Sequence, residues 1–379
     1  MMHYLNEDQL AWCRAHEEET MDLLRTLGKI PAPSHFEDQR AAFILAWLQK
    51  QGAENAYIDE AKNVVLPIGV TKNNPVNVIM AHTDIVFADT EELPMREEDG
   101  KLFAPGIGDD TANLVALLMA AKYLLEMNIR PRQGLLIVAN ACEEGLGNLK
   151  GSKQIVRDYQ GRIQEFISLD GGVAHITNDA VGSCRMKITI TAQGGHSYSK
   201  FGNTNAIVQM AELIGKLYEK EPPTQKKTTY NVGVIEGGST VNSICGECSM
   251  LYEYRSESRE CLQEMDRFFN ETIDAFRKKG FDIQVEVLGI RPCRGNVDEA
   301  KMAAMTRRHQ ELLYAFTEND PRISASSTDA NTALDQGIPA ITFGVIRGGG
   351  AHTRGEWIEM DCMPMAVQIA LTETLYYTK

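Results

Sequence analysis

Two periodicities of apolar residues alternate along the chain. Spacings of three and four residues, which mark one face of a helix, recur at residues 6–27, at 110–126 (Leu114, Leu117, Leu118, Ala121, Leu125) and at about 147–158. Short unbroken apolar runs, the mark of strands buried on both faces, occupy 63–67, 76–80, 134–140 and 165–169. Capping chemistry precedes two helices: Asn6 with Gln9, and Ser34 with Glu37 ahead of a helix that ends near Gly52. Helices alternating with buried strands predict a mostly parallel sheet sandwiched by helices.

The order changes after Ala180. Strand patterns at 184–191, 229–235, 245–254 and 281–288 are interleaved with helical patterns at 203–218 and 258–279. That order is β-α-β-β-α-β, the ferredoxin-like arrangement. The α/β alternation then returns, with helices at 298–316 and 364–377 and a strand at 340–344. The expected architecture is an α/β domain in two parts, 1–180 and 292–379, carrying an inserted α+β domain at 181–291.

Composition narrows the function classes. Hydrophobic residues make up 43% and charged residues 24% of 379, enough apolar material for large cores. Lys and Arg number 38 against 52 Asp and Glu, a net charge of −14. That balance disfavours a broad nucleic-acid binder and adhesion to an anionic membrane. Residues 1–10 lack the basic-then-apolar pattern of a secretory leader, and the apolar run 114–121 is too short to span a bilayer, so the expected compartment is the cytoplasm. The eight cysteines are dispersed and expected to be reduced; Cys245 and Cys248 fall in a predicted strand and read as core.

Candidate chemistry gathers just after predicted strands and in glycine-rich loops, where open α/β sheets bind ligands. His82-Thr83-Asp84 offers an imidazole with a carboxylate two residues on, on the same face of an extended chain, to orient the ring. Gly106-Ile107-Gly108-Asp109-Asp110 sets two carboxylates in a glycine turn, where they need a cation or hydrogen bonds; a helix cap is the plainer use. Ala141-Cys142-Glu143-Glu144-Gly145 delivers two glutamates from an apolar strand, and Leu169-Asp170-Gly171-Gly172 ends another in an acid. Gly348-Gly349-Gly350-Ala351-His352 adds a second imidazole, with Glu356 nearby. No Gly-Lys-Ser/Thr follows those glycines, so this is not a phosphate loop, and no G-x-G-x-x-G follows the first strand. Two imidazoles and several carboxylates at sheet ends suit a pair of zinc ions, which take N and O ligands and together activate one water.

These segments, in this order, resemble the co-catalytic zinc peptidase family of peptidase T, carboxypeptidase G, acetylornithine deacetylase, succinyl-diaminopimelate desuccinylase and the aminoacylases. The resemblance covers nearly the whole chain, from Ile30-Pro31-Ala32-Pro33-Ser34 to Gly337-Ile338-Pro339. It implies that His82, Asp109 and Asp170 hold one zinc, with Asp84 behind His82. Asp109 would bridge to a second zinc completed by Glu144 and His352, Glu143 would be the general base, and the Asp109–Asp110 bond would be cis. Cobalt or manganese can fill such sites. In the inserted domain, Gly194-Gly195-His196-Ser197 resembles a lid loop whose histidine stabilises an oxyanion, often across a dimer. Asn242 and Arg255 resemble lid positions that receive the substrate's carboxylate. The chain departs from many relatives in following the bridging aspartate pair with Thr111-Ala112-Asn113.

The resemblance thus implies a cytoplasmic metallopeptidase, a homodimer through its lid, with Glu143 as base toward water attacking an amide. Short peptides are the first expectation for substrate, from Glu143-Glu144-Gly145-Leu146-Gly147, and an aminopeptidase the expected type. N-acyl amino acids are the alternative. A metal-containing binding protein without turnover is the reading from a different class, and Glu143 argues against it.

Overall fold

The computed structural model describes residues 4–378. The chain divides into two compact units, the second formed by Val181–Gly295 and the first by the described residues on either side of it.

The strands of interest are β1 Tyr57–Ile58, β2 Val64–Ile68, β3 Val76–His82, β4 Gly134–Asn140, β5 Ile163–Leu169 and β6 His175–Ala180 in the first unit. The second unit contributes β7 Gly182–Thr191, β8 Thr228–Gly237, β9 Glu247–Ser256 and β10 Asp282–Arg291, and the first resumes with β11 Arg322–Ser326 and β12 Ala340–Phe343. The first unit's eight-stranded sheet has the order β1-β2-β4-β3-β5-β12-β6-β11. Its centre is parallel, with β3 between β4 and β5, and β5 beside β12. The outer pairings β1–β2, β2–β4 and β12–β6 are antiparallel.

Strands β3 and β4 are buried along their whole length because both faces are covered. In β3, Ile79 and Ala81 join the core that includes α4 (Ala112–Glu126) and α10 (Met363–Tyr376), while Val76, Val78 and Met80 join the opposite core with Ile155 and Ala333. This two-sided burial is why the sequence shows unbroken apolar runs here and no alternation. Helix α4 is itself buried on all sides, from Ala112 to Leu124.

The capping box at Asn6 and Gln9 is present, with both reciprocal bonds at 2.8–2.9 Å. The single helix expected over 6–27 is two, α1 Glu7–Ala15 and α2 Glu17–Lys29, broken at His16. The second capping box does not form. Helix α3 begins at Asp38 without a side-chain cap, Ser34 donates to Asp84, and Glu37 accepts from the His35 and Cys142 backbones. That segment spends its polar groups on long-range partners. Strands β6 and β11 escape the sequence pattern; β11 is largely exposed and lacks a continuous apolar run.

The second unit's sheet is antiparallel, order β8-β9-β7-β10. One face carries α6 (Ala206–Leu217) and α7 (Arg259–Lys278) over Met186, Ile188, Met250 and Tyr252. All eight cysteines are buried and unpaired by disulfides; Cys245 and Cys248 lie in the second unit's core.

Candidate metal centre

Parallel strands end on the same edge of a sheet, and here that edge collects the acidic and imidazole groups. His82 is the last residue of β3, Glu143 and Glu144 follow β4, and Asp170 follows β5. His352 lies in the loop after β12, and Asp109 in the wide turn Ile107–Thr111 that leads into α4. The Asp109–Asp110 bond is cis.

The groups form two overlapping sets. Potential ligand atoms of His82, Asp109 and Asp170 lie within 4.8 Å of one another, and so do those of Asp109, Glu144 and His352. Asp109 belongs to both: its Oδ1 is 2.9 Å from His82 Nε2 and its Oδ2 3.1 Å from His352 Nε2. His352 Nε2 is also 3.2 Å from Glu144 Oε1. A third set joins Glu143 to His82 and Glu144 within the same limit, so Glu143 stands beside the centre.

Behind these groups lies a scaffold of hydrogen bonds. Asp84 is fully buried and accepts from the backbone N–H of Glu143 and of Glu144, both at 2.9 Å, and from Ser34 Oγ at 2.6 Å. Its relation to His82 differs from the expectation. The nearest partner of His82 Nδ1 is the Asp84 backbone carbonyl at 3.0 Å, with the carboxylate at 3.6 Å. The carboxylate is engaged elsewhere, fixing the two glutamates.

Asp109, the plainer candidate for a cap, does not cap α4, whose N-cap is Thr111, and neither does Asp110. Asp110 accepts from the His82 backbone N–H at 3.0 Å and from Asn113 Nδ2 at 2.7 Å. Asn113, part of the unusual Thr111-Ala112-Asn113 run, also donates to the Gly171 carbonyl and accepts from Val345 N. It therefore ties the Asp109 turn to the loops after β5 and β12. Sequence reasoning did not single out Asn113, and noted Glu356 only as a neighbour of His352. Asn113 is buried within an apolar helix; that position, and its place in the run that departs from many relatives, were its signals in the sequence.

The electrostatics suit a cation. Burial, together with the negative charge of Asp109, pushes the carboxyls of Glu144 and Asp170 up to about 7. Asp109 is depressed, because the imidazoles of His352 and His82 outweigh its burial. His352 is raised to about 9, first by Asp109. The centre concentrates more carboxylate than two imidazoles neutralise, and its N and O donors match zinc, cobalt or manganese.

The other three expected site residues lie in the second unit. His196 is exposed, its Nδ1 accepting from the Tyr198 and Ser199 backbones. Asn242 is its neighbour, its carbonyl accepting from Ser197 N at 2.9 Å. Arg255 pairs in register with Ser183 and Thr229. Strand β9 begins at Glu247, beside the His196 end of the sheet, and Arg255 is near its other end. They are about 26 Å apart at ~3.3 Å per residue. The structure thus brings His196 and Asn242 together and leaves Arg255 at a distance from both.

Peptidase family M20/M25/M40 matches residues 78–372, and the chain belongs to that family. It is an enzyme of the metallopeptidase and amidohydrolase class. Among curated relatives, acetylornithine deacetylase of Myxococcus xanthus is 25% identical over 330 residues, covering 81% of this chain and 82% of that one. Among solved structures, a Staphylococcus aureus tripeptidase superposes with a TM-score of 0.75 at 19% identity, covering 96% of this chain and 99% of its own. The YxeP protein of Bacillus subtilis, described as a dinuclear metal binding peptidase, gives 0.62 at 15% identity, covering 96% and 99%. These likenesses share the helix-flanked, mostly parallel sheet. Among the described residues, no helix is long and apolar enough to cross a membrane.

Proposed function

We propose that this enzyme hydrolyses an amide bond in short peptides with two metal ions, zinc first, held by His82, Asp109 and Asp170 on one side and by Asp109, Glu144 and His352 on the other. The observation that carries this reading is the Asp109 carboxylate, which presents one oxygen to His82 and the other to His352. A shared carboxylate is what two adjacent cations require. Metal ions in such a pair supply Lewis acidity, polarising the substrate carbonyl and acidifying the attacking water.

The chain's own groups do the rest. Glu143 accepts a proton from that water at its carboxylate and later delivers it to the leaving amine nitrogen. The Asp84 carboxylate, through the Glu143 and Glu144 N–H groups, keeps base and ligand at a fixed spacing. His196 donates to the developing oxyanion, a contact that lowers the barrier most when made only in the transition state. Arg255 and Asn242 receive the substrate's carboxylate. The distance between Arg255, near the far end of β9, and the neighbouring His196 and Asn242 favours one protomer supplying Arg255 and a partner supplying Asn242 and His196, in a homodimer formed through the second unit acting as a lid. The enzyme works in the cytoplasm on this reading.

N-acyl amino acids form the second substrate reading, favoured by the likeness to acetylornithine deacetylase. The test is metal content together with a panel of di- and tripeptides against N-acetyl and N-succinyl amino acids, before and after chelation. Peptide turnover that disappears with the metal and returns on re-addition is expected. Preferential turnover of N-acyl substrates selects the second reading; tight metal binding with no hydrolysis of any member overturns both.

A further inference from the structure

We propose that Glu356 is the positioning residue for the half of the metal centre built on Asp109 and His352, its carboxylate joining the two loops that carry those ligands. This rests on the two-ion reading above.

Glu356 lies four residues beyond His352 and is 2% exposed. Its carboxylate accepts three backbone N–H groups of the Asp109 turn: Gly106 N at 2.9 Å on Oε2, and Gly108 N and Asp109 N, each at 2.7 Å, on Oε1. Three amide donors on one buried carboxylate define its place closely, because each loses its partner if the carboxylate moves. The turn is shaped around it. A Cβ at Gly108 would stand 3.3 Å from Glu356 Oε1, and Gly106 has φ +70° with Ile85 Cγ2 2.2 Å from where its Cβ would be. Only glycine suits Gly106.

The backbone continues the connection toward His352. Glu356 O accepts from Ala104 N at 3.2 Å, and Glu356 N donates to Thr353 O at 3.3 Å. Thr353 in turn donates from N and Oγ1 to Gly350 O, at 3.0 and 2.7 Å. His352 itself is on an exposed loop, with 59% of its side chain accessible. The remaining ligands have other supports: His82 and Asp170 stand at the ends of β3 and β5, and Glu144 is held by Asp84. Two of the three ligands of the His352-side ion therefore depend on Glu356, against one of three for the His82-side ion.

The test is titration of the chelated full-length chain with Co2+, followed by calorimetry and visible absorption. His352→Ala identifies which binding step belongs to the His352-side ion. Glu356→Ala is expected to weaken that same step by about 10–100-fold, the usual cost of losing a group behind a ligand, and the other step by much less. Glu356→Gln keeps an acceptor for Gly108 and Asp109 and is expected to fall between, with unchanged far-UV circular dichroism; it keeps the test open if the alanine variant does not fold. Equal weakening of both steps, or no weakening of either, overturns the role of Glu356. Fewer than two Co2+ equivalents in the wild type overturns the two-ion reading itself.

Discussion

At the level of single residues, the candidate ligands were legible because each follows a strand or sits in a glycine-rich loop and because their order resembles a known family; the structure places their donor atoms in two sets, each within 4.8 Å. Chemistry carried by side chains at strand ends leaves a local signature. What supports them does not: Asp110, Asn113 and Glu356 act through hydrogen bonds to backbone groups far away in sequence, for which no spacing rule exists. Asp84 shows the same limit, since its position beside His82 was readable but its grip on Glu143 and Glu144 was not. The proposed base gives the prediction at this scale. Glu143→Gln is isosteric and cannot accept the proton, so turnover should fall by about 10²–10⁴-fold. Metal stoichiometry, measured by atomic absorption, should stay at the wild-type value. Near-normal turnover in that variant refutes the base, and loss of a metal equivalent makes Glu143 a ligand.

Among the elements, helix and strand periods identified most of the central sheet and the helices that cover it. The break between α1 and α2 at His16 and the exposed strand β11 went unread, because both depend on neighbours that only the assembled fold supplies. The junction of α8 (Glu299–Thr317) with α10 adds a second buried charge cluster. Glu373 is wholly buried, with Oε1 3.3 Å from Arg308 and 3.2 Å from His309, while Arg308 also reaches Glu165 and the Tyr377 hydroxyl at 2.8 Å. Burial opposes ionisation of Glu373, but His309 and Arg308 outweigh it and lower its pKa to about 2. The unfolded value is about 4.3. A depressed folded pKa gives stability that is complete above the unfolded value and is lost as pH falls toward 2. Urea unfolding of wild type and Glu373→Gln should therefore show the variant less stable at neutral pH, since it leaves Arg308 short of a buried partner. The gap between the two should narrow as pH drops from about 4 to 2. A gap that is constant with pH would show that the Glu373 charge contributes nothing.

For the whole molecule, the prediction concerns the proposed homodimer. Arg255 is near one end of β9 while His196 pairs with Ser243 beyond the other end, and on the proposed reading a partner chain completes the site. Mixed dimers of Glu143→Gln and His196→Ala chains, each inactive alone, should then regain activity, because one of their two sites combines an intact Glu143 with an intact His196. The measurement is peptide turnover after the two variants are exchanged under mild dissociation, with sedimentation confirming the mixed species. Mixed dimers that stay inactive would place both groups in one chain's site.

The sequence by itself determined the class of fold and named the residue types that could hold a metal, with their roles implied by the family resemblance. The fold class and the residue types rest on periodicity and on side-chain chemistry, both local properties of the chain. Only the tertiary structure shows that the Asp109 carboxylate lies between His82 and His352, which backbone groups hold Asp84 and Asp110, and that Asp109 and Glu356 meet across the fold. Hydrogen bonds and charge contacts depend on distances of a few ångströms between segments hundreds of residues apart, and only packing sets those distances.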